Sequence, residues 1–467
     1  MEPDPINHLR ELASASPFAW AGLAAMLASA YLVARLIAWL GIYVALRPWR
    51  LSAVESWVER ARLAWPARRL GRIAPLIIAF LLLIALKRDG RRVDLIPAIA
   101  TNFLIVVAAL IGGLQGAINW ERRLNPAWAI TPRPARGAWV FWLAMVGPLL
   151  VLGFALFALA PARWDARAWA LLAVGTVAVG VYMGWGWRRL MRWNGILRPA
   201  GDRFREIATR SAEQTGIELR SIEQAALPMA NAFAFVHDQG IGVTDSALAI
   251  LDDAELGAVC AHELAHLGEP VWVRATRLSF GFFWGLLVAS LGLFQPMVES
   301  LDPQAVLFIV SFGLAGLLVA NGAFLRLAHR LEVRADAQAR PAEEARGAYG
   351  RALAKIYEMN LVPVVMGAKR RTHPELYDRL VAAGVNPDYP RPAAPPRVPW
   401  WAGLLALILS SIVGGFVVSD LVARRFVRGV LAPESAALWT TGAVGGSYDE
   451  FLILTDVNQN GGDEDAE

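Results

Sequence analysis

Residues 252–268 read Asp-Asp-Ala-Glu-Leu-Gly-Ala-Val-Cys-Ala-His-Glu-Leu-Ala-His-Leu-Gly, and this stretch predicts a helix with a defined beginning and end. Asp252 and Glu255 have the spacing of a capping box, in which each side chain bonds the backbone N–H of the other residue. The closing glycine is a common helix stop. Because His262 and His266 are four residues apart, we expect both imidazoles on one face of the helix.

Two imidazoles at this spacing can bind one Zn²⁺ ion, at about 2.0–2.1 Å from each nitrogen. Glu263 lies between them and can polarise a metal-bound water and take up its proton. The alternative is a chance His-Glu-x-x-His pattern on a buried helix. We favour the metal site because a third ligand can be named.

Glu332 is the predicted third ligand, in the segment Leu-Ala-His-Arg-Leu-Glu-Val-Arg-Ala-Asp (327–336) that follows an apolar run. Three protein ligands leave the fourth position of zinc for water, which is the catalytic arrangement. Asp336, one helical turn later, is placed to orient a zinc-bound imidazole from behind. Taken alone, Glu332 could instead form a solvated ion pair with Arg330 or Arg334.

The composition is that of a polytopic membrane protein. The chain has 467 residues, of which 56% are hydrophobic and 18% charged, whereas soluble domains have about 25% charged residues. Long uncharged runs exclude an ordinary soluble enzyme and a disordered chain. A single Cys excludes an intramolecular disulfide. The net charge of +5 comes largely from Arg beside apolar runs, which favours anionic lipid over nucleic acid as a partner.

A membrane-spanning helix needs about 20 apolar residues. The runs that predict seven or eight spans are 18–46, 73–86, 95–118, 138–160, 168–187, 279–296, 304–327 and 400–419, of which 73–86 is short. Lys and Arg in the short loops place the polar stretches 188–278 and 328–399 in the cytoplasm. We expect the bacterial inner membrane. Nothing in the sequence sets the oligomeric state.

The His-Glu-Leu-Ala-His and Glu-Val-Arg-Ala-Asp segments resemble the zinc metallopeptidase family that contains the CaaX prenyl proteases and the heat-shock protease HtpX. Asn-Ala-Phe-Ala (231–234), ahead of Gly-Ile-Gly-Val-Thr-Asp (240–245), resembles the strand pair that precedes the zinc helix in this family. Thr-His-Pro (372–374), with Arg379 beyond, resembles its late His-Pro segment. The resemblance covers residues 200–385, and the five preceding spans are more similar to the prenyl protease layout.

The resemblance implies a mainly α fold, in which a helical membrane bundle carries a small α+β zincin-like catalytic domain. It implies one Zn²⁺ per chain, bound by His262, His266 and Glu332, with Glu263 as the general base. His373 would hydrogen-bond the developing oxyanion. An exposed edge at the strand pair could bind an extended substrate backbone. Substrate contacts are predicted at Asn231, Ala232 and Phe233.

The predicted organisation has six parts. They are N-terminal transmembrane helices (1–190), a catalytic domain with the strand pair and zinc helix (191–278), two transmembrane helices (279–327), the third ligand and His-Pro segment (328–390), a Pro-rich linker with a final span (391–430) and an acidic tail (431–467). The tail matches a calcium-loop pattern from Asp456, but its eighth position is Asp463, where an apolar residue normally packs. We therefore do not expect calcium there.

The sequence thus predicts an integral-membrane zinc metalloendopeptidase that hydrolyses membrane-associated or lipidated proteins near the cytoplasmic face. Its partners would be a peptide or membrane-protein substrate and membrane lipid. The alternative is a non-catalytic membrane scaffold or sensor that keeps the peptidase fold, which would not need Glu263. A transporter or channel would need ionisable residues in the middle of its membrane spans. Because Arg35 is the clearest such residue, we disfavour this function. Cys260 points away from the metal face and is predicted to be buried and inert.

Overall fold

The computed structural model describes residues 17–46, 54, 56–69, 95–125, 132–161, 163–276, 285–286, 289–290, 293, 303–367 and 373–396. The chain divides into two compact units. The first includes Met1–Ile42 and Leu70–Ala117, and the second comprises Tyr43–Arg69 and Ile118–Val398. All described residues of the predicted site belong to the second unit.

Helix α1 (Pro17–Leu46) and helix α2 (Leu95–Leu124) lie mostly in the first unit, where they pack against each other through small side chains. Ala34 and Ala109 are fully buried where the helices meet. Gly112 permits the closest approach, because a Cβ atom at this position would lie 2.1 Å from the carbonyl oxygen of Tyr31. Small residues at such contacts let helix backbones approach each other closely.

Two described helices, Leu104–Leu124 and Ala166–Trp193, are long and apolar enough to cross a membrane. Seven or eight spans were predicted, whereas the described part of the chain contains two helices that meet this criterion, so the predicted number is wrong there. The runs 18–46 and 138–160 are helical, but their apolar segments, Leu27–Leu40 and Trp139–Gly153, are shorter. The predicted spans 73–86 and 400–419, and most of 279–296, lie outside the described residues, as does the acidic tail.

The second unit begins with helical residues 57–69 and continues with helices α3 (Pro132–Leu159) and α4 (Ala166–Val181). Asp165 caps α4 by accepting hydrogen bonds from two backbone N–H groups of its first turn. A π-helical turn, Tyr182–Gly186, then joins α4 to helix α5 (Trp187–Trp193). These three segments form one continuous helical rod that leads into the sheet.

A four-stranded sheet follows, with helix α6 (Asp202–Thr215) between its first two strands. Its strands are β1 (Leu197–Pro199), β2 (Ser221–Ala225), β3 (Ala232–Phe235) and β4 (Gly240–Thr244). Their spatial order is β1-β2-β4-β3, with β2 and β4 parallel and the other pairs antiparallel. β3 is therefore an edge strand of the described sheet.

The sheet is covered on both faces. On one face, Ile241 and Val243 pack against Phe204 of α6 and against the following helices. On the other, Leu197 and Phe235 pack against Met191 of α5. Because both faces are covered, β4 is buried along its whole length, and its apolar run is typical of a central strand.

The remaining helices are α7 (Asp245–Ile250), α8 (Asp253–Leu267), α9 (Pro303–Ala339), α10 (Ala348–Met359) and α11 (Leu376–Ala382). α8 lies at the centre and contacts α6, α9 and α10. The predicted capping box is confirmed: Glu255 N–H donates to Asp252 at 2.8 Å, and Asp252 N–H donates to Glu255 at 3.0 Å. The domain is thus mainly helical with a small mixed sheet.

Candidate metal centre

Helices α8 and α9 bring the three predicted ligands together. The Nε2 atom of His262 lies 3.5 Å from Oε2 of Glu332, and the Nε2 atom of His266 lies 3.4 Å from Oε1 of the same carboxylate. Both imidazoles are buried, and one ligand atom from each of the three residues lies within 4.8 Å of the others. The three side chains could therefore hold one metal ion.

The carboxylate of Glu332 supports this interpretation. Its Oε2 atom is buried and has no hydrogen-bond donor among the described residues. A buried oxygen without a donor is costly, and a bound cation would supply the missing partner. Two imidazole nitrogens and one carboxylate oxygen form a donor set that zinc accepts in catalytic sites. The residues present therefore fit zinc.

A single carboxylate supports His266 from behind. The Nδ1 atom of His266 lies 2.9 Å from Oε1 of Glu269, whose side chain is almost fully buried. A carboxylate at this position fixes the tautomer, so that Nε2 carries the lone pair that faces the metal. Glu269 was not among the predicted residues, although it lies only three residues after His266, directly beyond the end of α8.

A longer network supports His262. Its Nδ1 atom lies 2.7 Å from the hydroxyl of Tyr349 and 3.1 Å from Oδ1 of Asp336. Tyr349 donates its hydroxyl proton to Asp336 at 2.7 Å. Arg379 donates to the two oxygens of Asp336 at 2.6 and 2.8 Å and also to Tyr349. Asp336 thus takes the predicted place behind an imidazole, whereas Tyr349 was missed.

The charges around the ligands shift their pKa values. Burial opposes the charged form of His266, but Glu269 and Glu332 outweigh it and raise the pKa of His266 to about 10. Burial likewise opposes ionisation of Asp336, yet His262 and Arg379 lower the pKa of that carboxyl to about 2. The two imidazoles hold the pKa of Glu332 far below its usual range. The carboxylates of Glu332 and Asp336 are therefore ionised at neutral pH.

This arrangement lies within a segment that matches a known family. Residues 202–384 match the model of peptidase family M48. Members of this family are zinc metallopeptidases. The predicted resemblance is therefore confirmed, and the match supports a metallopeptidase domain over these residues, which we call the M48 segment. No curated protein matches the chain.

The M48 segment also contains Glu263 and His373, for which catalytic roles are predicted. Glu263 lies between the two imidazoles on α8 and is half-buried, and its charge contributes to the raised pKa of both histidines. The Nε2 atom of His373 lies 3.4 Å from Oε2 of Glu332, and 54% of the His373 side chain is exposed. Both predicted residues thus adjoin the metal centre, and their catalytic roles stay predictions.

The predicted substrate strand lies at the edge of the M48 sheet. Asn231 accepts a hydrogen bond at its carbonyl from the N–H of Thr244 at 2.9 Å. Hydrogen-bonded and non-hydrogen-bonded pairs alternate along an antiparallel ladder. The backbone groups of Ala232 and Ala234 therefore point to the open edge, whereas those of Phe233 point to β4. The side chain of Phe233 packs against the α5 face of the sheet.

Cys260 is fully buried in the core between α8 and the sheet. Burial and the charge of Glu263 raise the pKa of its thiol far above the ordinary value. The predicted burial of Cys260 is confirmed, and its thiol is protonated at neutral pH.

Proposed function

We propose that the protein is a zinc-dependent endopeptidase embedded in a membrane, with its M48 domain at the cytoplasmic face. The observation that carries this proposal is the convergence of two imidazole Nε2 atoms on the carboxylate of Glu332, with Glu263 beside them. Zinc, when bound there, would polarise the scissile carbonyl and lower the pKa of a water molecule. The protein groups would supply the proton transfers and the positioning.

Glu263 is the group placed to move protons. It lies on the same helix as the two imidazoles, between them in sequence, and it is only half-buried, so that water can reach it. It would take a proton from the attacking water and return it to the leaving amine. His373 would donate a hydrogen bond from Nε2 to the oxyanion that develops on the scissile carbonyl.

The edge strand β3 would hold the substrate. Ala232 and Ala234 offer backbone N–H and C=O groups to an extended peptide, which would add a strand to the sheet. Asn360 supports the start of this strand, because its side-chain amide forms hydrogen bonds of 3.0 and 2.7 Å with the N–H and the carbonyl of Ala230. Of the predicted substrate contacts, Ala232 fits this arrangement and Asn231 precedes it, whereas Phe233 turns its backbone groups to β4 and its side chain to the α5 face.

The membrane part of the proposal rests on helix Ala166–Trp193. Along this helix Trp169, Val174 and Val177 each expose more than half of their side-chain surface. Apolar side chains that point outward along one helix are typical of a lipid-facing surface. A catalytic domain joined to such a helix would meet membrane-associated or lipidated proteins, which we propose as its substrates.

The alternative is a membrane scaffold that binds peptides without cutting them. Full-length protein in detergent, incubated with a quenched peptide library, separates the two functions. We expect cleavage by the wild type, loss with a chelator and recovery with zinc. Glu263→Gln should lower kcat/KM by about 10²–10⁴ with zinc content unchanged.

The matched control is Glu344→Gln, because Glu344 is an exposed carboxylate paired with Arg210. This variant should cleave like the wild type. Cleavage that survives Glu263→Gln would exclude the proposed mechanism. Peptide binding without cleavage by the wild type would establish the scaffold.

A further inference from the structure

A polar cavity lies where the candidate membrane helix Ala166–Trp193 meets the sheet. None of the residues of the metal centre lines it. Its volume is about 230 Å³. The lining residues are Trp185, Arg188, Arg189, Arg192, Ser221 and Asp238. Half of them are arginines from a single stretch of α5. Such a concentration of guanidinium groups in a small cavity indicates an anionic ligand.

The sheet holds two of these guanidinium groups in place. Arg188 has a side chain that is only 3% exposed, and it forms an ion pair with Glu223 of β2 at 2.8 Å. Arg188 also pairs with Asp238, donates to the hydroxyl of Ser221 at 2.7 Å, and lies over the ring of Phe235 at 4.0 Å. Glu223 pairs with Arg192 through its other oxygen. The basic wall is thus preorganised, which lowers the entropy cost of ligand binding.

The charges of this cluster do not cancel. Arg188, Arg189 and Arg192 face two carboxylates, Glu223 and Asp238, so one positive charge is left over. Arg189 is exposed and forms no ion pair with any residue in the described part of the chain. One anion with a single negative charge would neutralise the cluster. A phosphodiester carries that charge, and its oxygens match the forked donors of Arg.

The position of the cavity indicates where this phosphate would come from. The π-helical turn Tyr182–Gly186 places Trp185 in the cavity wall, and the helix before this turn exposes Val174 and Val181. Trp193, at the end of α5, is 83% exposed. Tryptophan and arginine beside the end of an apolar helix are typical of the headgroup layer of a bilayer.

We propose that this cavity binds the phosphate of an anionic phospholipid headgroup and so anchors the sheet at the membrane surface. The site uses none of the residues proposed for peptide hydrolysis. Lipid binding should therefore be unchanged in Glu263→Gln, so that failure of one proposal is distinguishable from failure of the other.

Native mass spectrometry of the full-length protein in detergent tests the site by titration with phosphatidylglycerol and with zwitterionic phosphatidylcholine. We expect phosphatidylglycerol to bind at least about tenfold more tightly. The double variant Arg189→Gln/Arg192→Gln should lose at least about tenfold in phosphatidylglycerol affinity, because charge-assisted hydrogen bonds are removed. Arg188 remains paired with Glu223 in this variant, so the fold should be kept, which circular dichroism checks.

The matched control is Arg167→Gln, which removes an exposed charge at the other end of the same helix. This variant should bind phosphatidylglycerol like the wild type. Competition with millimolar inorganic phosphate identifies the source: failure to displace the lipid supports a lipid site, and displacement supports a site that accepts phosphate from either source. Equal phosphatidylglycerol affinity in the double variant and the wild type would overturn the proposal, and so would an equal loss in Arg167→Gln.

Discussion

His266 and His262 present the same ring nitrogen to the metal position but are supported in different ways. Behind His266 stands one carboxylate, Glu269, from the residues that directly follow the helix. Behind His262 stands a network whose members come from α9, α10 and α11. One support is local, and the other ties the metal centre to the packing of the whole domain. Loss of the first should affect metal binding, whereas loss of the second should affect both metal binding and folding.

The largest effect is expected for Asp336→Asn. The variant removes the carboxylate that pairs with Arg379, whose side chain is only 5% exposed. A buried charge that loses its partner costs about 3–5 kcal/mol of unfolding free energy. Zinc affinity should also fall about 10–100-fold. Urea titration and zinc competition measure the two effects. A stability loss below about 1 kcal/mol would show that the network does not couple the site to the fold.

A smaller effect is expected for Glu269→Gln. Zinc affinity should again fall about 10–100-fold, because the carboxylate no longer strengthens His266 as a ligand. The free energy of unfolding should fall by less than in Asp336→Asn, since this pair is local and leaves no buried guanidinium behind. The same two measurements apply, with Glu344→Gln as the unaffected reference. A stability loss as large as that of Asp336→Asn would remove the distinction between the two supports.

Zinc binding should release a proton from the imidazole of His266. When the metal is removed, Glu269 and Glu332 keep the pKa of His266 near 10, against an ordinary 6.5. Zinc binding at pH 8 must therefore expel a proton from this imidazole. Calorimetry in two buffers of different ionisation enthalpy should show release of about one proton, and less in Glu269→Gln. Equal release from the two proteins would contradict the assignment of Glu269 as the group that raises this pKa.

The same shift makes the stability of the metal-free protein depend on pH. The folded-state pKa of His266 lies above the unfolded value of 6.5. Its pairing therefore stabilises the fold fully below about pH 6.5, and this contribution is lost as the pH rises towards 10. A urea midpoint that rose over this range in chelated protein, compared with Glu269→Gln, would be inconsistent with the pairing.

The local features were predictable from the sequence and the distant ones were not. The α8 helix follows from its capping box and from the spacing of its histidines, both of which act within one or two turns. Glu269 lies equally close and could have been found by the same rule. Tyr349 and Arg379 reach the site only because α10 packs against α8 and α11 packs against α10. No spacing along the chain encodes that packing.

The number of membrane spans shows a second limit of sequence patterns. Leu104–Leu124 and Ala166–Trp193 have similar mean hydropathies of 1.5 and 1.6, yet the first buries 50% of its most apolar window inside the protein and the second only 22%. Hydropathy measures the apolar content of a run and not its surroundings, so lipid and protein core give the same signal. Tertiary packing decides between them.

Glu332 and Asp336 lie one turn apart on α9, a single helix of 37 residues. Each residue advances a helix by about 100°, so inserting or deleting one residue ahead of them would swing both carboxylates away from α8 together. A rotation or axial shift of α9 would therefore move the metal ligand Glu332 and the His262 partner Asp336 out of the site together. The His266–Glu269 pair, anchored to another helix, would stay where it is.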